Sequence, residues 1–272
     1  MTRPESDRPA HYQKSLLTYF DILGFRELVG STANPELVAR KLRVFSRLSQ
    51  PERGEMEKWQ HTFSHFSDLA VRNVPIKIRE DLGDEQGLLY WELLDLAYIQ
   101  FHLAEDGILI RGAITVGDIY VDERLIFGPA LIRAYELERD VASYPRIVMD
   151  SRVLDRLSDS PELRMPGVQD QMKSLSTVLS RDKDGTWFVD YLQAAIYELA
   201  SQPTACEKFL RKHRDVVANA VTRFQELSSP AAKVGWLMTY HNQSVMSQSD
   251  QLNKIGINAS NLIVRSRIEE NS

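Results

Sequence analysis

The sequence contains little cysteine and no long apolar run, and both absences limit what the protein can be. Cys206 is the only cysteine, which excludes an intrachain disulfide and a cysteine-rich zinc site and favours a reducing compartment. The apolar stretches are broken by Asp, Glu or Arg before they reach the roughly 18 to 20 residues that span a bilayer. We therefore expect a cytoplasmic protein without a membrane partner.

Positive charge is not in excess either. The chain of 272 residues has 33 Lys and Arg against 38 Asp and Glu, a formal net charge of −5. A nucleic-acid partner is not expected, because phosphate backbones are bound mainly by clustered Lys and Arg. An acidic protein can still bind a phosphate ligand, since bound metal ions reverse the local field.

Apolar periodicity predicts alternating strands and helices. Residues 15–20 predict a buried strand that ends at Asp21, and residues 24–48 predict one broken helix or two short ones. Alternation over residues 59–74 predicts a hairpin with Asp68 near its tip. The remaining expected elements are a helix over 87–104, strands at 108–116, 119–121, 125–127, 146–149 and 187–189, a helix over 128–140, and helices at 192–227 and 230–246.

This order of elements predicts an α+β fold, in which a ferredoxin-like sheet carries helices on one face. Residues 1–14 are polar, with mixed charges, and are expected to form a flexible tail. Residues 15–190 are predicted to form the sheet domain. Residues 191–272 are predicted to form a helical C-terminal appendage.

The residues that suggest chemistry are Asp21, Gly24, Asp68 and Arg111. An Asp at a strand end and another at a neighbouring hairpin tip can face one another across a sheet edge and hold two hard cations. Gly24, beside a helix start, would let backbone N–H groups approach a phosphate. The guanidinium group of Arg111 would donate hydrogen bonds to a polyphosphate oxygen.

Each of these residues also has a purely structural interpretation. An Asp before a helix is more often a cap than a metal ligand, and Ser67-Asp68 alone is an ordinary hairpin turn. Arg111 alone would be a surface ion pair. Only the joint order of these residues on the predicted strands favours the functional interpretation.

Three segments together resemble the signatures of class III nucleotidyl cyclases: Phe20-Asp21-Ile22-Leu23-Gly24-Phe25, Phe66-Ser67-Asp68, and the strand that begins Arg111-Gly112. The resemblance implies two Mn²⁺ or Mg²⁺ ions held by Asp21, Asp68 and the backbone carbonyl of Ile22. It also implies that Gly24 and Phe25 cradle the terminal phosphates, and that Arg111 contacts phosphate. The resemblance covers residues 17–150.

Ser67 stands where the family has a glycine before its second metal-binding Asp, and the sequence departs from the ordinary family pattern at four further places. The family's Asn and Arg, which position ribose and stabilise the transition state, are replaced by Ile132 and Glu136. The two purine-reading positions hold Ser64 and Leu125. A pyrimidine base is therefore expected, with Phe20 and Ser64 as candidate neighbours of the ring.

Residues 127–138 and 144–147 resemble a divergent branch of the family, the pyrimidine cyclases of bacterial Pycsar antiphage systems. This resemblance implies a homodimeric, manganese-dependent lyase that converts UTP to 3′,5′-cyclic UMP and pyrophosphate. The product would activate a separate effector. Two alternatives stay open: a cytidylate cyclase that makes cyclic CMP, and a degenerate cyclase-like module that binds nucleotide without turnover.

Overall fold

A mixed β-sheet forms the centre of the protein. The computed structural model describes residues 11–32, 34–51, 59–77, 87–165, 167–224 and 228–265. The strands are β1 (Gln13–Ile22), β2 (Thr62–Phe66), β3 (Leu69–Pro75), β4 (Ile110–Val121), β5 (Ile126–Phe127), β6 (Ile147–Met149), β7 (Leu179–Arg181) and β8 (Trp187–Val189). Their order is β2-β3-β1-β4-β6-β8-β7, and β5 pairs with β4.

The first four strands have the order and directions of a ferredoxin-like sheet. β1 lies between β3 and β4 and is antiparallel to both, and β2 and β3 form an antiparallel hairpin. β4 and β6 then pair in parallel, and β6, β8 and β7 extend the sheet in antiparallel fashion. The predicted α+β class is confirmed. The short strand β7 was not predicted, because its Ser-rich surroundings carry no apolar alternation.

The helices of the described residues connect and cover these strands. They are α1 (Phe25–Ser31), α2 (Pro35–Ser49), α3 (Leu88–Glu105), α4 (Pro129–Asp140), α5 (Ser151–Arg156), α6 (Gln171–Leu175), α7 (Tyr191–Glu198), α8 (Pro203–Phe224), α9 (Ser228–Ser247) and α10 (Ser249–Lys254). Residues 24–48 thus form two helices rather than one broken helix. Among the described residues, none of these helices is long and apolar enough to cross a bilayer.

Side chains of β1 alternate between two apolar layers. Leu16 and Phe20 pack into the large core with α2 and α3, whereas Leu17 belongs to a second cluster that includes Ala130 and Ala134 of α4. The prediction of helices on one face is therefore wrong for α4, which covers the opposite face. The small alanine side chains let α4 lie close to the sheet.

The C-terminal helices share the core of the sheet. Leu192, Phe209 and Leu237, from α7, α8 and α9, are buried in the same cluster as Leu93 of α3. The rings of Phe101 and Phe209 are 3.9 Å apart between centroids. The described residues between 191 and 265 form α7 to α10 with short connections, and α7, α8 and α9 pack onto the sheet layer. Most of the predicted tail (residues 1–10) and residues 266–272 lie outside the described residues, and β1 begins at Gln13 within the predicted tail.

Gly112 fixes the spacing of β1 and β4 beside the candidate site. A Cβ atom at this position would lie 2.4 Å from both the carbonyl oxygen of Tyr19 and the Cβ of Phe20. The two strands can approach only because Gly112 has no side chain. In this register Asp21 pairs with Arg111.

Candidate metal and phosphate site

Asp21 and Asp68 lie at one edge of the sheet, as predicted. Asp21 is the penultimate residue of β1 and pairs with Leu69, the first residue of β3. Asp68 precedes Leu69 in the β2–β3 turn, and its carbonyl oxygen accepts a hydrogen bond of 3.1 Å from the Ile22 amide. Both aspartates and Ile22 line one cleft of about 840 Å³.

The turn that carries Asp68 has an unusual backbone. Ser67 adopts a φ of 56°, the left-handed region that glycine tolerates best. This is the residue that stands where the resembled family has glycine. The two-residue turn thus keeps a glycine-like conformation without the glycine.

Gly24 lines the same cleft as the two aspartates. It has a φ of 78° and separates the end of β1 from the start of α1 at Phe25. The Leu23 amide donates to the carbonyl of Leu109 over 2.8 Å, which ties this turn to the start of β4. Gly24 and Phe25 both line the cleft, so they lie where the sequence places a phosphate cradle.

Arg111 links two carboxylates in the cleft. Its Nε lies 3.3 Å from Asp21 Oδ1, and its Nη2 lies 2.5 Å from Glu138 Oε1. Glu138 is a buried residue of α4 that sequence analysis did not single out. The sequence feature that could have identified Glu138 is its position on the same helix face as Ala130, Ala134 and Leu137, which meets the sheet.

Burial makes the charged forms of these carboxylates costly. Burial raises the pKa of Asp21 to about 7; the Arg111 guanidinium opposes the shift, and Glu138 and Asp68 add to it. Burial likewise raises the pKa of Glu138 against the opposing effect of Arg111. One guanidinium therefore does not fully compensate the buried carboxylates, and an added cation would stabilise their charged forms.

The donor set suits small divalent cations. Asp21 and Asp68 carry carboxylate oxygens, and Ile22, whose backbone carbonyl is a further candidate ligand, lines the same cleft. Within the part of the chain that the structure describes, no group of three or more His, Cys, Asp or Glu side chains could hold a metal ion. Mg²⁺ and similar ions commonly use one or two protein carboxylates and complete their coordination with substrate phosphates and water. The residues present fit such ions.

Two predicted base contacts lie elsewhere. Phe20 is fully buried and packs edge-to-face against Phe45, with ring centroids 5.8 Å apart, so its predicted contact with substrate is wrong. Its position on β1 points it to the opposite face from Asp21. Ser64 does not line the aspartate cleft but a separate cavity of about 420 Å³, together with Tyr19, His65, Phe66, Leu69, Val71, Ile126, Leu131, Ile132 and Tyr135.

No family model and no curated protein matches the chain. It is similar to solved structures at low identity. The catalytic core of a rhodopsin-guanylyl cyclase with converted specificity, in complex with ATPαS, is 11% identical over 67% of this chain and 98% of its own, with a TM-score of 0.40. A bacterial light-regulated adenylyl cyclase is 14% identical over 72% of this chain and 59% of its own, with a TM-score of 0.40.

A third solved structure is a class III adenylyl cyclase-like ATP-binding protein from Pseudomonas aeruginosa. It is 16% identical over 57% of this chain and 38% of its own length, with a TM-score of 0.39. The present chain thus spans less than two thirds of the light-regulated cyclase and well under half of this third protein.

Proposed function

We propose that the protein is a nucleotidyl cyclase that converts UTP to 3′,5′-cyclic UMP and pyrophosphate, with two Mn²⁺ or Mg²⁺ ions at Asp21, Asp68 and the Ile22 carbonyl. The observation that carries the proposal is the meeting of Asp21 and Asp68 at one sheet edge, in a cleft that Gly24 and Arg111 also line. A capping role for Asp21 is not supported, because the α1 N-cap is Gly24 and no side chain caps it.

In this reaction the ribose 3′-hydroxyl loses its proton to water, its oxygen attacks the α-phosphorus in line, and the bond from the α-phosphorus to the leaving pyrophosphate breaks. Bound cations would stabilise the attacking and leaving oxygens. Arg111 would orient the phosphates from the neighbouring strand and balance their charge, while Glu138 positions its guanidinium. Gly24 and Phe25 would let the chain lie close to the terminal phosphates.

The homodimer is part of the proposal, and the exposed surface near Ser64 supports it. Phe66 is 81% exposed and Ile132 is 62% exposed beside the apolar cavity that both residues line. Such contiguous apolar surface is unusual on a monomer. A second copy on this surface would bring Ser64 and Ile132 towards the nucleotide of its neighbour, as residues at these positions do in the resembled family.

The pyrimidine base, the antiphage role and the separate effector come from the resemblance to Pycsar cyclases. Leu125 is an exposed apolar side chain, and Ser64 is short. Neither residue offers the polar side chain with which purine-specific cyclases pair the base, and this supports a pyrimidine. Cyclic CMP is the alternative product, because a serine hydroxyl such as that of Ser64 can donate to a 4-oxo group or accept from a 4-amino group.

Nucleotide binding without turnover is the second candidate function. The observation that favours it is the engagement of Arg111 by both Asp21 and Glu138, which holds the arginine away from a substrate. A binding module would not need a metal pair, whereas a cyclase would.

One experiment separates these functions. The purified protein is incubated with each of the four labelled ribonucleoside triphosphates and Mn²⁺, and the products are separated by chromatography. We expect cyclic UMP from the wild type and none from Asp21→Ala. Triphosphate binding without any cyclic product would favour the binding module and contradict the cyclase.

A further inference from the structure

The C-terminal helices form part of the wall of the aspartate cleft. α8 contributes Val216, Asn219 and Ala220, and α9 contributes Lys233 and Val234. These residues lie outside the segment that resembles a cyclase, which ends at residue 150. The cleft is therefore completed by helices that the cyclase motifs do not account for.

Lys233 brings positive charge to this wall. Its side chain is partly buried and lies near enough to Glu138, the carboxylate that contacts Arg111, for its charge to oppose the burial that raises the pKa of Glu138. Across the described ranges, Lys233 forms no ion pair within 4 Å. Its ammonium group is thus close to the carboxylate cluster and has no fixed partner there.

Lys41 of α2 brings a second positive charge to the same cleft. Its Nζ donates to the carbonyl oxygens of Asp106 and Gly107, both over 3.3 Å. An ammonium has three protons, so one stays available for a ligand in the cleft. The two carbonyls hold the group in place before any ligand binds, which reduces the entropy lost on binding.

We infer that Lys41 and Lys233 bind the phosphates of a nucleoside triphosphate that leave as pyrophosphate, in the cleft that Asp21 and Asp68 line. This inference rests on the proposed function and extends it to the C-terminal helices. Lysine binds phosphate as a point charge that does not require one fixed geometry, which suits the two outer phosphates. The C-terminal helices then belong to the substrate site and are not a separate appendage.

The test compares ligands with and without the two outer phosphates. Binding of the α,β-methylene analogues of UTP and ATP, in which the bond that cyclisation breaks is replaced, is measured by calorimetry with Mn²⁺, and UMP serves as the short ligand. Lys233→Met and Lys41→Met are each expected to weaken binding of the triphosphate analogue about tenfold or more. Binding of UMP should stay unchanged, and Lys233→Arg should retain most of the affinity for the analogue.

Lys212→Met is the matched control, because Lys212 is an exposed residue of α8 that does not line the cleft. Thermal unfolding of each variant shows whether the fold is retained. If the wild type binds the analogue and Lys233→Met binds it as well as Lys212→Met does, the inference is overturned while the proposed function stands. If the wild type binds neither analogue, the proposed function and the inference both fall.

Discussion

The amide of Ile22 donates a hydrogen bond to the carbonyl oxygen of Asp68 over 3.1 Å. This bond joins the end of β1 to the β2–β3 turn, so the backbone itself sets the relative position of the two aspartates. The relative position of the two aspartates therefore does not depend on a contact between their side chains. The Asp21 carboxylate also contacts Arg111 Nε over 3.3 Å, so a bound cation would share this carboxylate with the guanidinium.

Replacing either aspartate should abolish activity and leave the fold intact. Asp21→Ala and Asp68→Ala each remove a proposed metal ligand without opening the core, so we expect cyclic product to fall on the order of 100-fold or more. Product formation and thermal unfolding are measured together. Asp118→Ala is the control, because Asp118 forms only a surface ion pair of 3.8 Å with Lys14. Near-wild-type activity in either test variant would contradict the metal-site assignment.

Ser67→Gly should stabilise the protein. Ser67 has a φ of 56°, and relief of the left-handed strain should exceed the greater freedom of glycine in the unfolded chain. We expect the free energy of unfolding to rise by about 0.5–1 kcal/mol, measured by urea denaturation. Ser67→Ala keeps the strain and is the control. A lower stability for the glycine variant than for the alanine variant would contradict this account.

The sequence predicted the local parts of this site well. Asp21 follows a short apolar strand, and Asp68 lies between two alternating segments, so periodicity alone placed both near strand ends. The register that brings them together depends on the close approach of Gly112 to β1 and on pairing between distant segments.

The long-range contacts could not be predicted in this way. Glu138 reaches Arg111 only because α4 packs on the face of the sheet opposite α3, and helical periodicity does not specify which face of a sheet a helix covers. Phe20 shows the same limit: its motif position suggested substrate, while the alternation of β1 buries it against Phe45.

A buried histidine pair in the C-terminal helices leads to a prediction about pH. His241 Nε2 lies 2.8 Å from the Leu262 carbonyl and must donate to it, so its Nδ1 accepts from His213 Nδ1 at 3.0 Å. His213 Nε2 then accepts from the Tyr191 hydroxyl at 2.6 Å. Both imidazoles are neutral in this arrangement, and burial lowers the pKa of each.

Stability should therefore fall in acid. An unfolded histidine takes up a proton near pH 6.5, whereas these folded histidines do not. The contribution of the pair to the free energy of unfolding is therefore complete above pH 6.5 and is lost progressively below it. The free energy of unfolding should fall by up to about 1.4 kcal/mol per pH unit for each imidazole as the pH is lowered. His213→Gln should show a smaller slope between pH 7 and pH 5 in urea denaturation. His102→Gln alters an exposed histidine and should match the wild type; equal slopes for all three proteins would disprove the prediction.

The proposed dimer should depend on the apolar surface around Ile132. Ile132→Asp places a charge on a side chain that is 62% exposed, so the monomer should fold normally while self-association weakens. Sedimentation should show a shift towards monomer and a matching loss of activity. Met246→Asp changes a side chain that is 53% exposed elsewhere on the protein and should leave both unchanged. A fully active monomer would contradict a site shared between two copies.

Selection of a pyrimidine base is the most specific prediction. Ser64 and Leu125 stand at the two purine-reading positions of the resembled family, and neither side chain can pair with the polar edges of a purine as the family's polar side chains do. An unpaired buried polar group costs on the order of 1–3 kcal/mol, which corresponds to roughly ten- to a hundredfold discrimination per group. In competition among equal concentrations of the four triphosphates with Mn²⁺, we expect cyclic UMP to predominate over cyclic AMP and cyclic GMP by about tenfold or more.

Ser64→Lys extends this test to the residue itself, because it restores a long polar side chain at the position where purine readers carry Lys or Glu. If the base of a neighbouring copy lies at Ser64, this variant should raise the share of purine products, whereas Lys introduced at the exposed position of Ser158 should not. A wild-type product mixture dominated by cyclic AMP or cyclic GMP would refute the pyrimidine assignment and leave the cyclase assignment standing. An unchanged product ratio in Ser64→Lys would remove Ser64 from the base site, because a lysine ammonium in contact with a base cannot leave its recognition unaltered.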